Sequence, residues 1–109
     1  MSKKKSKPDD FREFVLEQLS SLTGLACRPM FGGHGLYLGE RFFAILHAGR
    51  MYLKTDAASL PEFTSRNSQP FRPSEKQTLK SYYEVPADVL DGAAQLCAWS
   101  RRAAGVAGS

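Results

Sequence analysis

Apolar residues recur at three- and four-residue steps near the start of the chain, at Phe11, Phe14, Val15, Leu16, Leu19 and Leu22, with Arg12, Glu13, Glu17 and Gln18 on the other side. That spacing predicts an amphipathic helix from Pro8 to about Leu22, ended by Thr23-Gly24. The period then changes. Arg28 to Thr55 alternates short apolar runs with glycine-bearing turns, which predicts a meander of antiparallel strands: Leu25 to Met30, Leu36 to Leu38, Arg41 to His47 and Met51 to Thr55. Phe42 to Leu46 is apolar at every position, so its strand is expected to be central and covered on both faces. Met51 and Leu53 alternate with Tyr52 and Lys54, the pattern of a strand wet on one side.

In the second half, Leu60 and Phe63 predict a short helix within Ala57 to Ser65. Arg66 to Gln77 reads as a loop in which Pro70-Phe71-Arg72-Pro73 supplies a short edge strand. Leu79 to Val85 returns to strand, with Leu79, Ser81, Tyr83 and Val85 expected on one face and Lys80, Tyr82 and Glu84 on the other. From Pro86 at the first helical position, Val89, Leu90, Ala93, Leu96, Cys97 and Ser100 predict a final helix ending near Ala104, with Trp99 closing the core at the edge of its stripe. The order is helix, four strands, short helix, one or two strands, long helix, which is an α+β pattern.

Length and charge narrow this picture. A chain of 109 residues is one domain by size. Its expected divisions are a disordered basic arm (1–7), a folded body (8–104) and a frayed tail (105–109). The net charge of +4 is carried entirely by Lys3, Lys4, Lys5 and Lys7, which leaves the body neutral. Such an arm can contact phosphate through a salt-sensitive, sequence-independent attraction, or simply solubilise. No apolar run approaches a membrane span, and no apolar leader follows the lysines, so the expected address is the cytoplasm with no membrane partner. Cys27 and Cys97 lack any CxxC spacing and read as reduced thiols in a core.

Candidate chemistry is thin. Gly32, Gly33 and Gly35 surround His34 in a run that resembles a phosphate cradle in composition, but they lead into a strand, whereas a cradle opens a helix. A bulge, a sharp bend or close backbone approach is the expected reason for them. His34 has no visible partner for general-base work, so a small enzyme using it is a minor reading. No metal-ligand spacing or nucleophile elbow exists, and no cofactor is expected. Tyr52, Lys54, Lys80 and Tyr82 form a candidate interaction surface, in which aromatic and basic residues together would also suit nucleic acid.

Several ordered pieces carry a resemblance. They are Arg28-Pro29-Met30-Phe31-Gly32-Gly33-His34-Gly35-Leu36-Tyr37, Phe43-Ala44-Ile45, Met51-Tyr52-Leu53-Lys54-Thr55-Asp56, Pro70-Phe71, Tyr82-Tyr83-Glu84-Val85-Pro86 and Trp99-Ser100-Arg101-Arg102-Ala103. With these pieces the chain resembles the N-terminal domain of TfoX/Sxy-like competence regulators. The resemblance implies a curved antiparallel sheet of about five to six strands with N- and C-terminal helices packed on it, a two-layer fold like the secretion-chaperone-like folds. It also implies a bacterial cytoplasmic regulator without cofactor or catalysis, in a family whose named members assist transcription of DNA-uptake genes together with the cyclic-AMP receptor protein. Family regulators carry a second, helical domain, and this chain is expected to be a stand-alone N-terminal unit. The expected role is a non-enzymatic protein-interaction module that contacts protein, a second copy of itself included, and acts in transcription. Direct, weakly specific nucleic-acid binding through the lysine arm and a basic, aromatic face is the alternative. Arg28 and the glycines are expected to fix the bend between strands, with Arg28 satisfying carbonyls or a carboxylate there.

Overall fold

The change of period seen along the chain becomes a change of layer. A computed structural model describes residues 8–30 and 32–107, the side chains of Pro8 and Asp9 excepted; the expected arm of Lys3, Lys4, Lys5 and Lys7, Phe31 and the last two positions of the expected tail lie outside the described residues. The order is α1 (Pro8–Gln18), β1 (Leu25–Met30), β2 (Gly33–Leu38), β3 (Arg41–His47), β4 (Arg50–Lys54), α2 (Leu60–Thr64), β5 (Pro70–Ser74), β6 (Gln77–Glu84), α3 (Ala87–Leu90) and α4 (Ala93–Ala107). The strands form one antiparallel sheet in the order β1-β2-β3-β4-β6-β5, with β1 and β5 at its edges. The fold is α+β.

The run of apolar residues in β3 is resolved by a bulge. Leu36 pairs with Ala44 but Tyr37 pairs with Phe42, so Phe43 is an extra residue and the alternation of faces is broken there. Phe43, Ala44 and Leu46 all enter one core, while Ile45 enters another. The first core lies against the helices: Val15, Leu19 and Leu22 from the N-terminal segment, Phe63 of α2, Val89 of α3, and Leu96, Cys97, Trp99, Ala103 and Ala104 of α4 pack on Leu36, Met51, Leu53 and Val85. Trp99 is buried as expected, edge-on to Phe63 at 5.0 Å, with the guanidinium groups of Arg66 and Arg102 over its ring. Arg102 also donates to Glu62 of α2 at 2.6 Å, which ties α4 to α2.

The other face of the sheet carries a second, smaller buried cluster. Ile45, Tyr52, Phe71 and Tyr82 are buried together there, with Phe42 and Leu79 packed against them. This corrects the expectation of a wet face, because Tyr52 and Tyr82 are only 8% and 7% exposed. The cause is β5. Phe71 on this edge strand is fully buried, its ring 4.8 Å from Tyr52 on β4 and 5.4 Å from His47 on β3. Two register shifts between β5 and β6 let the edge strand depart from flat pairing. They also place Leu79 with Tyr82, opposite to the simple alternation expected for β6.

Helix ends differ from the sequence pattern too. α1 stops at Gln18, and Leu19 and Leu22 reach the core from turns in which Ser20 N–H donates to Glu17 O and Leu22 N–H to Leu19 O. The final helix is two helices, broken at Asp91-Gly92, and Pro86 sits at the cap of α3 with an extended backbone. Glycine there breaks the pattern at a cost of about 1 kcal/mol in a helix interior. At the far end α4 continues to Ala107, three residues past the predicted stop, so Gly105 to Ala107 are helical where fraying was expected. Within α4 the hydroxyl of Ser100 is fully buried and has no hydrogen-bond partner among the described residues. Ser100→Ala is therefore expected to leave stability unchanged or to raise it by up to about 1 kcal/mol, measured by denaturant melting.

Candidate interaction site

The sequence-marked residues fall into two regions. On the face away from the helices, Arg28, Gly35, Ile45, Tyr52 and Glu84 occupy one register row across β1, β2, β3, β4 and β6. Arg28 lies with its guanidinium 5.3 Å from the Tyr37 ring centre, and Tyr37, Phe42 and Tyr82 follow at 5.2 and 5.5 Å. Lys54 closes this series over Tyr82 at 5.1 Å and donates to Ser81 Oγ. Of the predicted surface, Tyr52, Lys54 and Tyr82 do share a face, while Lys80 is exposed on β6 and joins none of these contacts. The two tyrosine rings are packed among neighbours, so they offer no open faces for stacking. Arg28 holds an aromatic ring where carbonyls or a carboxylate were expected.

Burial of Tyr82, reinforced by Tyr37, pushes its hydroxyl up to about 12; burial, then the nearby Glu84, pushes Tyr52 up as well. A tyrosine raised in the folded state stabilises the fold while it stays neutral. Its contribution is whole below the ordinary value near 10 and is lost as pH climbs from there toward 12. Melting temperature is thus expected to fall across that alkaline window, and Tyr82→Phe is expected to flatten the fall. A phenylalanine variant with an unchanged alkaline slope would assign the loss elsewhere.

The glycines act by close approach. A Cβ on Gly33 would stand 2.0 Å from the Leu46 carbonyl oxygen, and one on Gly35 would meet Met30 Sδ and Phe42 Cε1 at 2.8 and 2.9 Å. Gly32 instead supplies a positive φ of 75° at the β1–β2 turn. They lead into β2, with no helix behind them, so the arrangement lacks the converging amides and dipole of a phosphate site.

The second region lies between α1 and the sheet edge. Arg12, Glu13 and Leu16 of α1, Cys27 and Pro29 of β1 and His34 of β2 line a cleft of about 320 Å³. Arg12 donates to His34 Nε2 at 3.1 Å, which requires that nitrogen to be the acceptor. The Cys27 thiol is pushed up by burial, offset in part by Arg12, so it stays protonated at neutrality. No nucleophile is activated here. Both cysteines are free, and among the described residues no group of three or more His, Cys, Asp or Glu stands close enough to hold a metal ion. The meeting of Arg12, Cys27 and His34 escaped sequence reasoning. Its one signal is the hairpin register, which sets His34 opposite Pro29.

The backbone of β1 carries the most distinctive feature of this region. Gly39 N–H donates to Gly24 O, and this bond belongs to the same register as the whole β1–β2 ladder, so residues 24, 26, 28 and 30 face β2. Leu25, Cys27 and Pro29 therefore point their backbone groups outward. Pro29 has no N–H to lose on that side, which is where an edge strand accepts proline. The opposite edge, β5, carries Pro70, Pro73 and two register shifts, devices that blunt pairing.

An antiparallel sheet with helices on one face, a smaller buried cluster on the other, one blunted edge and one edge with no neighbouring strand among the described residues defines a small α+β domain. The profile of the TfoX N-terminal domain matches residues 17–107, and the chain belongs to that family. A search of curated proteins finds no match to the chain. No helix among the described residues is long and apolar enough to cross a membrane.

Proposed function

We propose that this TfoX N-terminal domain protein is a non-enzymatic protein-interaction module that works in transcription regulation of the DNA-uptake type. The observation that supports this most is the β1 edge, whose outward amides at Leu25 and Cys27 face no strand among the described residues. The cleft beside it holds a protonated thiol and an imidazole that accepts from Arg12, a poor start for catalysis. The nucleic-acid alternative draws less from the geometry, because the tyrosines it needs are packed away.

Titration of the purified chain against RNA polymerase, the cyclic-AMP receptor protein and duplex DNA, each at two salt concentrations, tests the reading. Saturable binding to one of the proteins, with DNA binding weak and lost at higher salt, is expected. Tight, salt-resistant DNA binding without any protein contact would overturn it.

A further inference from the structure

We infer that the β1 edge is a self-complementary surface and that its occupant is the β1 strand of a second copy, antiparallel and centred on Cys27. This rests on the protein-interaction reading and names its partner. In that register Cys27 faces Cys27 of the second copy and the two exchange both backbone hydrogen bonds. Leu25 N–H then meets the Pro29 carbonyl of the other copy, and the same bond recurs on the far side of the two-fold axis. Both outward amides of each strand find acceptors. The donor missing at Pro29 falls opposite the Leu25 carbonyl, at the end of the pairing where water can reach it. Pro29 would leave a longer or shifted partner strand with an unpaired carbonyl inside the ladder, so it selects this short two-fold register over others.

Side chains agree with the backbone. Leu25, Cys27 and Pro29 share the helix-side face of β1, and in the two-fold arrangement Leu25 of one copy stands beside Pro29 of the other. Cys27 and Pro29 line the 320 Å³ cleft, so the paired strands run along its rim. Across the edge every apolar position meets an apolar one. On the opposite face Arg28 meets Ala26, a small residue, and its guanidinium is drawn back over Tyr37 of its own sheet, away from the axis. The Arg28 pair thus adds little repulsion.

Sedimentation velocity over a wide concentration range, with a short bismaleimide cross-linker applied to the same samples, tests this. Paired Cα atoms at the axis would stand about 5.5 Å apart, so the unmodified chain is expected to dimerise and to cross-link through Cys27. Cys27→Ser should abolish the cross-link while keeping the dimer. Cys27→Pro removes the central donor on the side where Pro29 already fits, and should weaken dimerisation by about tenfold or more with the melting transition retained. If Cys27→Pro fails to fold, cross-linking of the unmodified chain decides alone. A monomer at every concentration, or a dimer that does not cross-link through Cys27, would overturn the inference. Binding to another protein in the previous titration would then still stand, so the two readings fail separately.

Discussion

Gly33→Ala is expected to destabilise the fold by about 3 kcal/mol or more, a drop of roughly 10 to 20 °C in melting temperature for a domain of this size. The added Cβ would lie 2.0 Å from the Leu46 carbonyl oxygen and 3.1 Å from His47 Cα. Both are backbone atoms of β3, a strand paired on each side, so no rotamer change relieves the overlap and β2 must part from β3. Neighbouring glycines calibrate the effect. Gly32→Ala meets open space and pays only for its positive φ, about 1 kcal/mol. Gly35→Ala meets the Met30 and Phe42 side chains, which can give way, and should fall between the two. Thermal or denaturant melting of the three variants reads this order directly, and a Gly33 variant as mild as the Gly32 one would contradict close approach as the reason for the glycine.

Phe71→Ala is the second large effect, expected at about 3 to 5 kcal/mol. The ring is fully buried although it belongs to an edge strand, and it touches Tyr52 and lies edge-on to His47. Its loss would uncover the face opposite the helices, so two readouts should move together. Stability should fall, and Tyr52 and Tyr82 should ionise at lower pH as their burial is relieved. Phe71→Leu, which keeps most of the apolar volume, should recover the larger part of both. A small effect would mean that β5 does not close this face.

Much of the fold was legible because local pattern and tertiary structure agree in β1 to β4. The limits of β1 and β3 and the covered centre of β3 follow from apolar runs bounded by glycine turns. What escaped was set at longer range. A strand that places Phe71 over β4 and β3 leaves no mark on the alternation of β4, so the pattern alone makes Tyr52 and Tyr82 look exposed. A bulge at Phe43 and shifts near Leu79 exchange faces without altering composition. Asp91-Gly92 breaks a helix whose apolar stripe runs on through it. The candidate interaction edge was the hardest to read, since it consists of backbone amides whose direction follows from the β1–β2 register. Only Pro29, tolerant of one orientation alone, hinted at it.

Residue-resolved amide exchange along β1 tests the open edge most directly. In dilute solution the Leu25 and Cys27 amides should exchange about a hundredfold or more faster than those of Ala26 and Arg28, which donate to β2. Raising the protein concentration until the chain assembles should slow Leu25 and Cys27 and leave the even-numbered pair unchanged. Protection of Leu25 and Cys27 already in the dilute monomer, or their continued rapid exchange in the assembled state, would contradict an edge held open for a partner strand.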